Sequence, residues 1–241
     1  MTDSIATSAR ADRAEVAISS PMPIVPVGLR VDGKPVLVVG AGRIAARKAA
    51  ALVDQGALVT VVAPDHSDEM NRVAVTERRY RSFEPSDLDE AWFVITATGV
   101  RSVDGAVFAE AEARRIWCNA ADDPKRCSVI LPAVTRRGPI TIAISSGGTS
   151  PAAASWIKRR IQQLLDDETV AVAEIATRVR DAVKGTGLPT EVPGWAEVLD
   201  NEAIDLFRSG TPEELERRLF EAVAEPPDQS GAAAADLGVR S

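Results

Sequence analysis

Pro35-Val36-Leu37-Val38-Val39-Gly40-Ala41-Gly42-Arg43-Ile44-Ala45 is the stretch from which the rest of the chain can be read. Its apolar run enters a glycine directly and predicts a strand buried on both faces. The pattern that follows is G-x-G-x-x-A. Gly40 makes the tight turn out of the strand, Gly42 leaves no Cβ in the way of a pyrophosphate, and Ala45 lets a helix lie close to the sheet. That helix is expected over about residues 43–55, with Gly56 as its C-terminal stop. Leu58-Val59-Thr60-Val61-Val62 supplies a second strand and closes a βαβ unit. In that context the glycine pattern implies a dinucleotide site, with the N–H groups and dipole of the helix start facing phosphate.

Composition narrows the class. Of 241 residues, 45% are hydrophobic and only 4% aromatic, so the core is built of Ala, Val, Ile and Leu, as suits a parallel α/β sheet. With 28 Lys and Arg against 35 Asp and Glu the net charge is −7, which argues against nucleic acid or an anionic membrane as partner. Basic residues still cluster locally, at Arg43/Arg47/Lys48, Lys125/Arg126, Arg136/Arg137 and Lys158/Arg159/Arg160. Cys118 and Cys127 form no C-x-x-C pair and His66 is the sole histidine, so no metal site is expected. No apolar run approaches the ~20 residues of a membrane span. Residues 1–22 lack the apolar core of a signal peptide and are read as a disordered extension of a cytoplasmic protein.

Along the chain, Ala63-Pro64-Asp65 follows the second strand where an adenosine ribose would lie. The acidic residue usual there comes slightly late, as Asp65, and no arginine stands beside it, which favours NAD over NADP. A short edge strand is expected at 79–81, a helical turn at 86–90 and a buried strand at 92–96. Thr98 and Gly99 then stand at a ligand-bearing carboxyl edge. A helix over 104–115 and a strand ending at Asn119 complete a Rossmann-type domain, residues 23–126. Runs 128–134 and 140–144 read as a hairpin-like pair in a β dimerisation segment, 127–149, because a lone hairpin needs something to pack on. Ser145-Ser146-Gly147-Gly148-Thr149-Ser150-Pro151 follows, with Ser150 as N-cap and Pro151 at the first helical position. It reads equally as an anion-binding loop or as a plain strand-to-helix turn. A helical domain is expected over 150–224, with helices at 169–184, at 196–208 and from Thr211 to about 223, before a disordered tail, 225–241.

Gly40 to Ala45, Asn119-Ala120-Ala121-Asp122-Asp123-Pro124 and Ser145 to Pro151 together resemble the precorrin-2 dehydrogenase/sirohydrochlorin ferrochelatase family, which includes the N-terminal module of siroheme synthase. The resemblance is close over about residues 24–165. It implies NAD-dependent oxidation of precorrin-2 to sirohydrochlorin by a homodimer interlocked through its central strands, with a helical C-terminal domain. It further implies that Arg43 and Ile44 contact the pyrophosphate beside Gly40 and Gly42, that Pro64 and Asp65 lie on the adenosine side, and that Asp122 is catalytic. Ser146 matches a serine of the tetrapyrrole pocket, and Gly147, Gly148, Thr149 and Ser150 belong with it. Thr98, Gly99 and Asn119 stand at the sheet edge where the cofactor would lie. The substrate is a polycarboxylate, which gives the basic clusters a partner.

Two other readings stay open at this point: a chelatase inserting Fe²⁺ or Co²⁺ into sirohydrochlorin at the same site, and a non-enzymatic NAD-sensing module. The chain has no methyltransferase-sized extension, so uroporphyrinogen methylation is expected from a separate polypeptide.

Overall fold

The fold is that of a computed structural model, described over residues 22–188 and 193–224. The extensions expected at the two ends lie outside these residues except for Met22. Five parallel strands form one sheet: β1 Pro35–Val39, β2 Leu58–Val62, β3 Glu77–Arg79, β4 Phe93–Thr96 and β5 Trp117–Ala120, in the order β3-β2-β1-β4-β5. Its helices are α1 Arg43–Val53, the short α2 Asp68–Asn71 and α3 Arg101–Arg114.

The two-sided burial read from the apolar run is what the sheet needs. Val36 and Val38 pack on one face with Ala45, Ala46 and Ala49 of α1. Leu37 and Val39 face the other way, into a cluster with Leu88, Val107, Ala111 and Cys118. Strand order reverses direction at β1, so the crevice between the carboxyl ends of β1 and β4 is the switch point of the sheet.

The edge strand lies at 77–79, two residues before its expected place. Asp87 explains its anchoring. Its buried carboxylate accepts from Arg79 Nη1 at 2.6 Å, Arg81 Nη2 at 2.6 Å and the Glu84 amide at 2.9 Å. Burial pushes the carboxyl up, but the bonds from Arg81, the Glu84 amide and Arg79 outweigh it and hold it at about 2. A folded-state value below the unfolded ~3.9 means stability that is present above about pH 4 and lost as pH falls toward 2. With both arginines a third exposed to screening solvent, the loss should be about 1–2 kcal/mol. Urea unfolding at pH 7 should already show that loss in Asp87→Asn, and the variant should lack the corresponding acid dependence.

Contacts group the described residues into two compact units. The first holds those up to Pro132 together with Ser145–Pro151; the second holds Ala133–Ile144 and the described residues from Ala152 onward. In the second unit β6 Ala133–Arg137 pairs antiparallel with β7 Ile140–Ile144. The two-residue turn Gly138-Pro139 sets this register, with Gly138 at φ +51° in the first turn position. The first strand therefore starts at 133, five residues later than the apolar run at 128 suggests. Residues 127–129 are instead drawn to the end of β5: Asn119 bridges Cys127, and the Ser128 and Val129 amides donate to Cys118 O at 2.9 and 3.1 Å.

The remaining helices are α4 Pro151–Leu164, α5 Asp167–Lys184, α6 Pro193–Asn201, α7 Ala203–Ser209 and α8 Pro212–Ala224. The hairpin turn rests on α5, since a Cβ at Gly138 would stand 2.6 Å from Val170 Cγ1, and Arg137 bonds Leu165 O and Asp167. The single helix expected over 196–208 is two, broken at Glu202 (φ −120°). Val198 and Ala203 both enter the core with Ile175, Leu215 and Leu219. Five residues apart they would lie about 140° apart on one continuous helix, so the break turns the second face inward. Among the described residues no helix is long and apolar enough to cross a membrane.

Candidate functional site

Hydrogen bonds just beyond the strand ends carry the ladder into the loops. Gly40 N donates to Val62 O at 2.9 Å, Ala97 N to Val39 O at 2.8 Å, and Ala121 N to Thr96 O at 2.8 Å. The loops after β1, β2, β4 and β5 are thereby ranged along one carboxyl edge.

The two glycines of the first loop are required for different reasons. Gly40 has φ +105°, and a Cβ there would stand 2.5 Å from Ala97 O and 2.7 Å from Ala97 C. Chain turn and strand packing alone thus exclude any other residue. Gly42 has the ordinary extended values φ −77° and ψ 179°, and a Cβ there would meet nothing among the described residues within 4 Å. Nothing among the described residues demands this glycine. Open space above a helix N-terminus, whose first-turn N–H groups have no partner within the helix, is what an approaching phosphate requires. Arg43 and Ile44 are exposed as the first residues of α1. The residues present therefore fit a dinucleotide.

On the β2 side, Ser67 N donates to Ala41 O at 3.1 Å, tying the loop that carries Pro64 and Asp65 to the glycine turn. Both residues are exposed. Three arginines of and beside β3 are committed elsewhere. Arg78 donates to the carbonyls of Met70, Asn71 and Val73, while Arg79 pairs with Glu77 and Asp87 and Arg81 with Asp87.

After β4 one buried carboxylate organises the loop. Asp104 of α3 accepts from the Thr96 hydroxyl, the Thr98 amide at 3.1 Å and the Thr98 hydroxyl at 2.8 Å. The Thr98 side chain is thus spent on the fold, and what its loop presents outward is backbone and the exposed Gly99.

After β5, Asp122 is exposed in the left-handed region, φ +60°, one of two described residues other than glycine with positive φ. Aspartate tolerates that conformation better than most residues, but an outlier at a sheet edge still marks a constrained turn. The neighbours supply the constraint. Asp123 pairs with Arg126 at 3.5 Å, Arg126 N donates to Asp123 O at 2.9 Å, and Arg126 Nη1 reaches Arg101 O at 3.0 Å. Cys127 Sγ lies 3.2 Å from Ala120 O and 3.4 Å from Asp123 O. Asn119 is buried with its amide engaged on both sides: Oδ1 accepts from Lys48 Nζ at 2.9 Å and Nδ2 donates to Val129 O at 2.8 Å.

In sequence Lys48 is one of a basic cluster, Asp104 opens an expected helix and Cys127 forms no C-x-x-C pair. The structure gives all three structural partners at the site. No local signal marks them, since Lys48 and Asn119 are 71 positions apart.

The serine-glycine loop closes on itself. Ser146 Oγ accepts from Ser150 N at 3.0 Å, and Ser146 O accepts from the Thr149 hydroxyl at 2.7 Å. Gly147 and Gly148 have φ +60° and +81°. Gly147 O accepts from Met22 N at 3.0 Å, and a Cβ at Gly148 would lie 2.6 Å from Met22 Cε. Among the described residues no three His, Cys, Asp or Glu side chains converge as they would to hold a metal ion.

Comparison with known proteins agrees with this picture. Residues 27–133 match the family described as "Putative NAD(P)-binding", and residues 137–164 the family described as "Sirohaem biosynthesis protein central". Siroheme synthase 3 of Aeromonas hydrophila is 41% identical over 166 residues, 68% of this chain and 36% of the relative. Siroheme synthase of Ectopseudomonas mendocina is 36% identical over 206 residues, 84% of this chain and 45% of the relative. The chain thus spans less than half the length of these relatives. The solved structure of SirC, precorrin-2 dehydrogenase, superposes with a TM-score of 0.63 at 26% identity, covering 82% of this chain and all of that one. With an NAD(P)-binding segment followed in order by a sirohaem-biosynthesis segment, and with the fold shared from end to end of the SirC structure, the chain belongs with the siroheme-biosynthesis proteins that these matches describe.

Proposed function

We propose that the protein oxidises precorrin-2 to sirohydrochlorin with NAD as hydride acceptor. The observation that carries the reading is the placement of Asp122, in a constrained turn, on the same sheet edge as the glycine turn and the Thr98-Gly99 loop. The match to a precorrin-2 dehydrogenase along its whole length supports the substrate.

Gly40, Gly42, Arg43 and Ile44 hold the pyrophosphate, Pro64 and Asp65 the adenosine side, and Thr98, Gly99 and Asn119 border the nicotinamide. When bound, the cofactor supplies a site for two electrons and one hydrogen. The second hydrogen leaves the substrate as a proton, which Asp122 accepts or directs to water, so that precorrin-2 and NAD⁺ give sirohydrochlorin, NADH and H⁺. NAD rather than NADP is supported by the exposed Asp65 carboxylate, which would repel a 2′-phosphate, and by the prior commitment of Arg78, Arg79 and Arg81. Ser146 to Ser150 present hydroxyl and amide groups to the substrate carboxylates. The free thiols Cys118 and Cys127 suit a reducing cytoplasm. We further read the chain as a homodimer formed through the outer edges of the β6–β7 hairpin, which has no further strand partner among the described residues.

One preparation tests the reading. Light scattering should return twice the 25.5 kDa chain mass. Anaerobic mixing with precorrin-2 should then give NADH absorbance with NAD and much less with NADP. Absence of turnover with either cofactor would overturn the assignment, and arms with Fe²⁺ or Co²⁺ report chelation separately.

A further inference from the structure

The segment after β2 is strapped at both ends. Ala63 N donates to Arg79 O at 3.1 Å, carrying the β2–β3 ladder one step past the strands, and Ser67 N donates to Ala41 O at 3.1 Å inside the glycine turn. Pro64, Asp65 and His66 lie between these two ties, and Tyr80 follows Arg79 out of β3. The His66 and Tyr80 rings stack, with centroids 4.3 Å apart and planes 27° from parallel. The pair stands at the carboxyl edge of the sheet, next to the two residues given to the adenosine side.

The needs of the fold explain this pair poorly. Tyr80 is 64% exposed although the imidazole is stacked on it, so a large ring is held toward solvent in a fixed orientation. The other two exposed aromatic rings of this unit, Trp92 and Trp117, lie at the amino ends of β4 and β5, the opposite edge of the sheet. Both ring nitrogens of His66 are shut off from solvent and have no hydrogen-bond partner among the described residues. Leaving them so is costly, and a leucine at 66 would fill the space without that cost. Burial and Arg78 hold the imidazole below its ordinary pKa against the pull of the Ala63 backbone and Asp65, so at neutral pH the stack joins two uncharged rings. A rigid aromatic surface left open to solvent suits another flat ring.

We propose that Tyr80, held in place by His66, is the platform on which the adenine ring of the dinucleotide stacks. This rests on the cofactor reading given above, with the pyrophosphate at Gly40 to Ile44 and the adenosine side at Pro64 and Asp65. The platform draws affinity from a part of the cofactor that does not react, and it recognises a flat base rather than a charge.

The test compares Tyr80→Leu, Tyr80→Phe and His66→Leu with the parent chain in affinity for NAD, AMP and nicotinamide mononucleotide, by calorimetry, with melting temperature as the check on folding. Tyr80→Leu keeps apolar bulk against His66 but has no aromatic face. It should weaken NAD and AMP about tenfold and leave nicotinamide mononucleotide unchanged. Tyr80→Phe keeps the face and should bind all three as the parent does. His66→Leu should show a smaller loss than Tyr80→Leu, because the platform stays and only its support changes. Tyr80 is the sole tyrosine of the chain, so 3-fluorotyrosine gives one ¹⁹F signal, which AMP should shift and nicotinamide mononucleotide should not. An AMP affinity unchanged in a folded Tyr80→Leu protein overturns the proposal, as does an equal loss for both mononucleotides, which would make Tyr80 a support of the whole edge. If Tyr80→Leu does not fold, the ¹⁹F signal decides, and no shift with AMP overturns the proposal. Gly42→Val run alongside separates the two layers of the argument. If it keeps full NAD affinity, the cofactor reading fails first; if it loses NAD while Tyr80→Leu does not weaken it, only the platform fails.

Discussion

Asp122→Asn should lower the rate of NADH formation by about 10²–10⁴-fold while NAD still binds. Asparagine keeps the size of the side chain and most of its hydrogen bonding but cannot accept the proton. It also tolerates the left-handed backbone that residue 122 adopts at φ +60°, so the turn should survive. An alanine there would mix lost chemistry with backbone strain. Asp123→Asn is the control. Its carboxylate is engaged with Arg126 at 3.5 Å, so neutralising it should loosen the turn and cost far less activity. Affinities for cofactor and tetrapyrrole belong in the same experiment, because a polyanionic substrate can bind more tightly once a nearby carboxylate is neutral. A fully active Asp122→Asn beside a dead Asp123→Asn would move the chemistry one residue along. Activity in both would send the proton to water or to the substrate's own carboxylates.

Gly42→Val should abolish NAD binding and leave the fold intact. The backbone there is ordinary for any residue and a Cβ meets open space, so the free protein has no objection to the side chain. The obstruction arises only when a phosphate approaches the helix start, which makes affinity and stability separable readouts. The neighbouring Gly40→Ala should behave in the opposite sense. Its Cβ would meet Ala97 O at 2.5 Å on a backbone at φ +105°, so melting temperature should fall before binding can be examined. Unchanged NAD affinity in a folded Gly42→Val protein would remove the pyrophosphate from this turn.

These two variants differ because one glycine is explained by the chain and the other is not, and that distinction was invisible in the motif. In sequence both are simply members of G-x-G-x-x-A. The same division runs through the molecule. Val36 to Val39, the small residues of α1 and the apolar run at 58–62 announce a βαβ unit because strand burial, helix facing and turn chemistry all act over a few residues. Ser150-Pro151 and Thr211-Pro212 likewise announce helix starts, and helices begin at 151 and 212.

Where the reading slipped, a long-range preference had overridden a local one. The run at 128–134 has strand composition, but residues 127–129 pair with the end of β5 and the hairpin turn sets β6 from 133. The stretch 196–208 is helical throughout in propensity, yet it breaks at Glu202 so that Val198 and Ala203 can share one core.

The sequence by itself therefore determined the sheet and the glycine turn, because each is written in neighbouring residues, while Asp122 was singled out by the family resemblance. Only the tertiary structure decided what surrounds that aspartate. Lys48 meets Asn119 across 71 positions, Asn119 meets Val129, and Asp104 holds Thr96 and Thr98, all through side chains that no spacing rule connects. Such contacts follow from strand order and from where a helix lies on the sheet. They exist only once the chain has closed, and the polarity of the site is set by them.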